Sequence, residues 1–276
     1  MINRGLLRSA KLSQFGAILP FVVRNPSGVW TPFLPDGEKQ ADPYETFSCV
    51  SQSAINAIET QEFFLTGQKV KYSKRWLAKL SGTTSQGNYL GTVAQTIMQY
   101  GLVLETSYPA PSGLTFDQYY ADPDPITRQK LLLEGANWLK NHNIQTDWAQ
   151  TTATDILKYL QQCPLQVTIP GHAIELHALN SPQDLVDYLD SYDPFLKQTP
   201  RSNLLDVYKI ILTMKTMRLV NDNNTIYLVG DRGKIGLADM SALTDIQAID
   251  STPIDVGDTT GIPQVGIFET GLTYHK

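Results

Sequence analysis

Helical patterning fills the chain from residue 49 to residue 164 and then gives way to short β-rich runs. That change of texture constrains the fold most, because helices first and strands later indicate an α+β protein. From Cys49, the residues Val50, Ala54, Ile55 and Ile58 recur at helical spacing, which predicts a helix that buries one face and ends near Gly67. SKRWLAKLSG (73–82) reads as a short helix with Ser73 as cap and Gly82 just past its end. GTVAQTIMQYG (91–101) repeats that design, with Gly101 as the stop. PITRQKLLLEGANWLKN (125–141) is helical, with Pro125 suited to the first turn, and TATDILKYLQQCP (152–164) is a helix broken by Pro164. PLQVTIP, HAIELHAL and DLVDYLDSY then read as strands, with NSPQD as a hairpin turn between the last two. From about residue 208 come KIILTMKTMRLV, TIYLVGD and KIGLAD, separated by NDNN and RG. The expected division is a main domain over 1–207 and a small β-rich module over 208–276. Residues 1–44, rich in Pro and Gly, read as arm and loop with one or two strands.

The composition excludes several function classes. A chain of 276 residues with 42% hydrophobic content can bury a substantial core, and its net charge is −5. No Lys/Arg stripe stands out, which argues against nucleic acid or an anionic membrane as partner. Two cysteines, Cys49 and Cys163, are too few for a disulfide framework and favour a reducing compartment. The apolar run GAILPFVV holds a proline and lacks a small-residue cleavage site after it, so it does not read as a signal peptide. No run approaches the roughly 18 apolar residues of a membrane span.

Cys49 is the residue with the clearest chemistry. A helix N-terminus concentrates unpaired N–H groups and partial positive charge, which favour thiolate over thiol and can also hold an oxyanion. The bland alternative is a small buried apolar residue. A nucleophile needs a base, and the base an orienting group. His142 lies in the polar loop NHN, and His275 is one residue from the end. His172 and His177 share the strand GHAIELHAL and, five apart, face opposite sides of it. With the NSPQD turn centred near residue 181 or 182, Asp190 falls opposite residues 172–174, and Gln183–Leu185 fall opposite His177. That register favours His172 as the base, with His177 as the alternative if the register slips.

These residues resemble a family. CVSQSAINAIE resembles the active-site helix of papain-like cysteine peptidases, with Cys49, Ser53, Ala54, Ile58 and Glu59 matching. QGNYLGTVAQTIMQYGLVLETSYP (86–109) resembles the family's Gly-rich subsite loop and following helix. ILKYLQQCPLQVTI, GHAIEL and YLDSYDP resemble its later helix–strand, His and Asn passages, in the same order. The resemblance implies a papain-like α+β fold and hydrolysis of peptide bonds through an acyl-enzyme, with Cys49 as nucleophile and His172 as general base and acid. Asp190 would stand in for the orienting Asn, and Gln40 would be the oxyanion donor, with DPYET as an insertion before the cysteine. Gly87 and Asn88 would line the substrate groove. It implies a polypeptide substrate and no metal or cofactor.

The departures are instructive. The tetrad before the helix reads F-S-C-V, without the family's indole. Only 48 residues precede Cys49, too few for the long inhibitory pro-segment. In these respects the chain looks like the compact papain-like proteins of bacteriophages and some bacteria. MRLVNDNNTIYLVGDRGKIGLADMSAL resembles small β-modules of phage and cell-wall proteins, so attachment to a virion or cell-wall protein is one expectation for the C-terminal part, and a cap on the main domain the other. Two alternatives stay beside the peptidase: a virion-associated structural or binding protein on the same scaffold, and an amidase or acyl transferase with the same triad. Cys163 is expected to be buried filler, Glu59 to lie on the helix surface or pair locally, and DPDP to be a turn before a helix rather than a metal loop.

Overall fold

Helix α1, Cys49–Thr66, organises the first part of the chain: every residue from Cys49 to Glu62 is buried. The apolar positions 50, 54, 55 and 58, with Cys49 and Ala57, explain part of that. Most of the buried polar side chains are hydrogen-bonded, whereas Ser51 Oγ and Asn56 Oδ1 have no partner. Ser53 and the Val50 carbonyl accept hydrogen bonds of 2.9 and 2.8 Å from the Gln166 amide. Thr60 donates to Glu175 at 2.7 Å. Gln61 donates to the Ile210 carbonyl at 2.8 Å and accepts from the Leu212 amide at 3.0 Å. Positions 53, 60 and 61 lie on one helix face, so three side chains bond it to the sheet. Gly67 ends the helix in the left-handed region at φ 71°, donating to the Phe63 carbonyl.

The computed structural model describes residues 5–7, 21–41 and 44–214, and the backbone of 218–222, 225–230, 233–237, 254–256, 264–269 and 273–275. Five further helices follow α1: α2 (Lys74–Leu80), α3 (Leu90–Tyr100), α4 (Phe116–Tyr120), α5 (Pro125–Asn141) and α6 (Ala153–Leu160). Strands β1 (His142–Ala149), β2 (Leu165–Ile169), β3 (His172–Asn180), β4 (Leu185–Leu189), β5 (Leu196–Pro200) and β6 (Asp206–Met214) form one sheet in the order β1-β6-β2-β3-β4-β5. The pairings from β6 through β5 are antiparallel. One apolar cluster joins Val50, Ile55 and Ile58 to Leu77, Ile97 and Ile210; a second gathers Trp30, Ile156, Leu160, Leu176 and Val186.

Several expectations are refined. Helix α6 stops at Leu160, because the Gln161, Gln162 and Cys163 amides turn back onto Leu157 and Tyr159. Residues 142–149, which begin in the polar NHN, form a strand rather than a loop. Helix α4 is short, held by a reciprocal cap between Thr115 and Gln118. Asp124 accepts from the Ile126 and Thr127 amides, so DPDP is the turn before α5. Among the described residues, no helix is long and apolar enough to cross a membrane, and no group of His, Cys, Asp and Glu is placed to hold a metal ion.

The chain divides into two compact units, residues 1–139 with 144–212, and residues 140–143 with 213–276. Strand β6 runs through position 207/208, where the change of sequence texture suggested a boundary, and its residues to Leu212 belong with the first unit. The described strands of the second unit are β7 (Arg218–Asp222), β8 (Thr225–Gly230), β9 (Gly233–Leu237), β10 (Ile254–Val256), β11 (Gln264–Glu269) and β12 (Thr273–His275), in the order β10-β7-β8-β9-β11-β12. The β7–β8–β9 meander is antiparallel, while β10 and β11 add in parallel to β7 and β9. The end of the MRLVNDNNTIYLVGDRGKIGLADMSAL stretch, residues 238–243, lies outside the described residues.

Candidate active site

Cys49 is the first residue of α1, with Ser48 as its N-cap, and it is fully buried. Burial pushes its thiol up to about 12. The backbone N–H groups of Ala173 and Val50 donate to the sulfur and pull the other way, while the carboxylates of Glu45 and Asp190 push it further up. The helix end therefore does not half-activate the thiol, as the sequence suggested. Desolvation outweighs the amide dipoles, and ionisation requires a proton acceptor.

The expected acceptor, His172, is positioned by strand pairing. His172 opens β3, opposite Ile169 on β2, and is followed by Ala173, whose amide reaches the sulfur. The His172 Nε2–H donates to Asp190 Oδ1 at 2.7 Å. An ionised carboxylate only accepts, so the neutral ring carries its proton on Nε2 and keeps the Nδ1 lone pair. Nδ1 is buried and has no hydrogen-bond partner. Asp190 follows β4 directly, and its amide donates to the Phe195 carbonyl at 2.8 Å across the turn into β5. Its second oxygen accepts from Lys197 Nζ at 2.7 Å. Burial pushes the Asp190 carboxyl up, but His172 and Lys197 together hold it below the usual range. Tyr192 places its ring edge-on to His172, centroids 5.3 Å apart.

No protein-family model and no curated protein matches the sequence. Solved structures match in shape. Digestive procathepsin L 3 of the Tenebrio molitor larval midgut aligns over 76% of this chain and 76% of its own, at 14% identity and a TM-score of 0.53. The fold is papain-like. The ragweed pollen allergen Amb a 11, a cysteine protease in its proform, aligns over 66% of this chain at 15% identity and a TM-score of 0.49, and 65% of its length is spanned. The Carica candamarcensis cysteine protease CMS1MS2, in complex with E-64, aligns over 66% of this chain and 96% of its own, at 11% identity and a TM-score of 0.48. These likenesses do not address the narrower expectation of a bacteriophage or bacterial type.

Within the papain-like fold, the remaining expected residues fall as follows. Gln40 is buried near the Asp190 turn: its amide N–H donates to the Ser191 carbonyl at 3.0 Å, and its side-chain oxygen accepts from Ser191 Oγ at 3.1 Å. Its side-chain NH₂ donates to Glu45 and, at 3.0 Å, to the Tyr192 hydroxyl. The oxyanion donor expected from sequence is thus engaged by a carboxylate. Gly87 and Asn88 present backbone to the chain's own residues 5–7: the Asn88 N–H donates to the Gly5 carbonyl at 2.9 Å, and the Leu7 N–H to the Asn88 carbonyl at 2.8 Å. This short parallel bridge buries Leu6 in the apolar cluster that includes Cys49. Gly87 has φ 95°, and a Cβ on it would meet the Gly5 carbonyl at 2.0 Å. The Asn88 side chain points elsewhere, donating to Ser81 and Thr83.

His177 does not join this group. A β-bulge between Leu176 and Ala178 places it between the partners Tyr188 and Asp187, rather than opposite Gln183–Leu185 as the assumed turn suggested. Its ring meets Thr31 at 3.2 Å, and burial pushes it down to about 4. Cys163 is fully buried in the second apolar cluster, as expected of filler. Glu59 is not on the surface: it is 2% exposed and accepts from the Tyr72 amide at 2.7 Å. A pocket lined by Phe33, Glu38, Glu59, Phe63 and Lys71 shares no residue with the Cys49–His172 group. Sequence reasoning missed Glu45, Tyr192, Lys197 and the segment 5–7.

Proposed function

We propose that this chain is a cysteine peptidase in which Cys49, His172 and Asp190 act together. The observation that carries this reading is the unpartnered, buried Nδ1 of His172, one residue from the amide that donates to the Cys49 sulfur. In the proposed reaction, the Cys49 proton passes to His172 Nδ1, and the thiolate attacks the peptide carbonyl carbon. The oxyanion is held by the Cys49 N–H at the helix end. Collapse breaks the C–N bond, and the imidazolium protonates the leaving amine. Water then attacks the thioester, losing its proton to His172, and the acid leaves as the thiol re-forms. Asp190 keeps the Nε2 proton in place throughout. Gln40 is the second oxyanion donor in this reading, and it serves only when its amide leaves Glu45. A polypeptide is the substrate, and it would take over the backbone edge of Asn88 from residues 5–7.

A second reading, a binding or structural protein on the same scaffold, has two observations on its side: Cys49 is fully buried and the Asn88 edge is occupied. The test is hydrolysis of a fluorogenic peptide library, together with iodoacetamide labelling, by the wild type and by Cys49→Ala, each in a Cys163→Ser background. Hydrolysis and labelling that both vanish with Cys49→Ala support the peptidase. No hydrolysis, with an unreactive thiol even at alkaline pH, moves the assignment to the scaffold. Acyl transfer to added amines in place of hydrolysis identifies the transferase with the same triad.

A further inference from the structure

Asp190 is 2% exposed, and each of its oxygens has one partner: His172 Nε2 on Oδ1 and Lys197 Nζ on Oδ2, both at 2.7 Å. A buried carboxylate needs its charge matched as well as its lone pairs filled. A neutral imidazole supplies a hydrogen bond but no charge, so the matching charge comes from Lys197. Its strand, β5, is an edge that buries no residue fully; exposed and half-buried positions alternate along it. Lys197 lies on the half-buried side, opposite Tyr188, with its side chain 21% exposed. A lysine on an edge strand normally keeps its head in water. This one turns inward to a carboxylate seven residues earlier.

We infer that Lys197 is a positioning residue of the site: its ammonium fixes the second oxygen of Asp190 and cancels its charge, so that Cys49 and His172 face a hydrogen-bond acceptor with little net charge. The inference rests on the proposed Cys49–His172 chemistry. Its physics is simple. An uncompensated carboxylate raises the proton affinity of every group it faces, thiol and imidazole alike. The pH window of the thiolate–imidazolium pair would then slide upward. Among the described residues, the other titratable groups around the pair are Glu45 in the loop before α1, held by Gln40 and Tyr192, Tyr120 on α4, which interacts electrostatically with Cys49, and Tyr192 in the turn after Asp190. Lys197 is the cation that contacts the carboxylate.

The test is the pH profile of Cys49 alkylation in the Cys163→Ser background, with the His172 ring titrated independently by NMR and assigned by its loss in His172→Ala. In Lys197→Met, both limbs of the profile and the ring titration should move to higher pH by about one unit, a typical effect of one nearby charge. Lys197→Arg should restore them. Lys197→Gln, which keeps a donor but no charge, should behave as the methionine does and serves if that variant fails to fold. Unmoved limbs and ring titration in a folded Lys197→Gln overturn the inference. Peptide hydrolysis with unmoved limbs removes only the role of Lys197. Shifted ring titrations without any peptide hydrolysis leave that role standing and remove the peptidase reading.

Discussion

His172 and Asp190 share a 2.7 Å hydrogen bond where neither exposes more than 2% of its side chain. The bond fixes which ring nitrogen carries the proton, and so which one can receive another. Burial leaves Cys49 protonated at neutral pH, since its thiol is pushed up to about 12. Replacing His172 with alanine should therefore abolish iodoacetamide labelling of Cys49 near pH 7, a drop of ~10²–10⁴ fold in the range typical of a lost general base. Labelling should return only at strongly alkaline pH. His177→Ala, which removes a ring bonded to Thr31, should leave labelling unchanged. Loss of labelling in His177→Ala with retention in His172→Ala would overturn the assignment of the base.

Two buried carboxyls on the helix–sheet interface should make stability fall as pH rises. Burial pushes Glu59 up to about 7 and Glu175 up to about 8. Both are neutral in the folded chain at mildly acidic pH and ionise freely only when it unfolds. Their contribution is complete below about pH 4.5, the unfolded value, and is lost as pH climbs through 7 and 8. It is on the order of 3 kcal/mol for each group, taken singly. Glu175→Gln keeps an acceptor for Thr60 and cannot ionise. The gain in melting temperature of Glu175→Gln over wild type should grow from pH 5 to about pH 8 and level off above it. A difference that stays flat across that range would contradict the raised Glu175.

Gln166 holds the start of α1 to β2 through two hydrogen bonds. Truncating it to alanine leaves the Ser53 hydroxyl and a cavity in a buried place. Chemical denaturation should register a loss of about 1–3 kcal/mol. The Cys49 end of the helix should loosen with it, seen as faster amide exchange at residues 50–54. Stability equal to wild type would mean that this contact does not anchor the helix.

Residues 5–7 lie against Gly87 and Asn88, and Leu6 is buried beside the Cys49 cluster. Leu6→Asp introduces a charge there and should release the segment. Cys49 labelling should rise at least tenfold, the gain expected for a local opening made easier by about 1.4 kcal/mol. Gly87→Ala should act in the same direction, because its Cβ meets the Gly5 carbonyl and its φ is positive. Unchanged labelling in both variants would mean that something else shields the sulfur.

The parts of the site that were legible in the sequence are those set by local pattern. Cys49 at a helix start, His172 at a strand start and Asp190 just past the return strand follow from periodicity and one hairpin. His177 was harder, since a bulge changes the register by one residue and nothing in HAIELHALN signals it. Lys197 was missed because LKQTP carries no apolar alternation, so its strand and its inward turn are visible only in the pairing. Residues 5–7 were missed for a related reason. Three residues have no periodicity, and their partner is far away in the chain. Glu59 was expected on the helix surface or in a local pair because burying a carboxyl is costly; it is buried and bonded to the Tyr72 amide, as buried Glu175 is to the Thr60 hydroxyl.

In the proposed peptidase, the bridge between residues 5–7 and Asn88 would also set a threshold on what can enter. A tethered occupant competes for that edge as though it were dissolved at roughly millimolar concentration, however dilute the protein. A short peptide that grips only the Asn88 backbone would lose to it at ordinary concentrations. A long chain that adds contacts on both sides would win. In the proposed peptidase, residues 5–7 would thus act as a built-in length filter, selecting extended polypeptides over fragments.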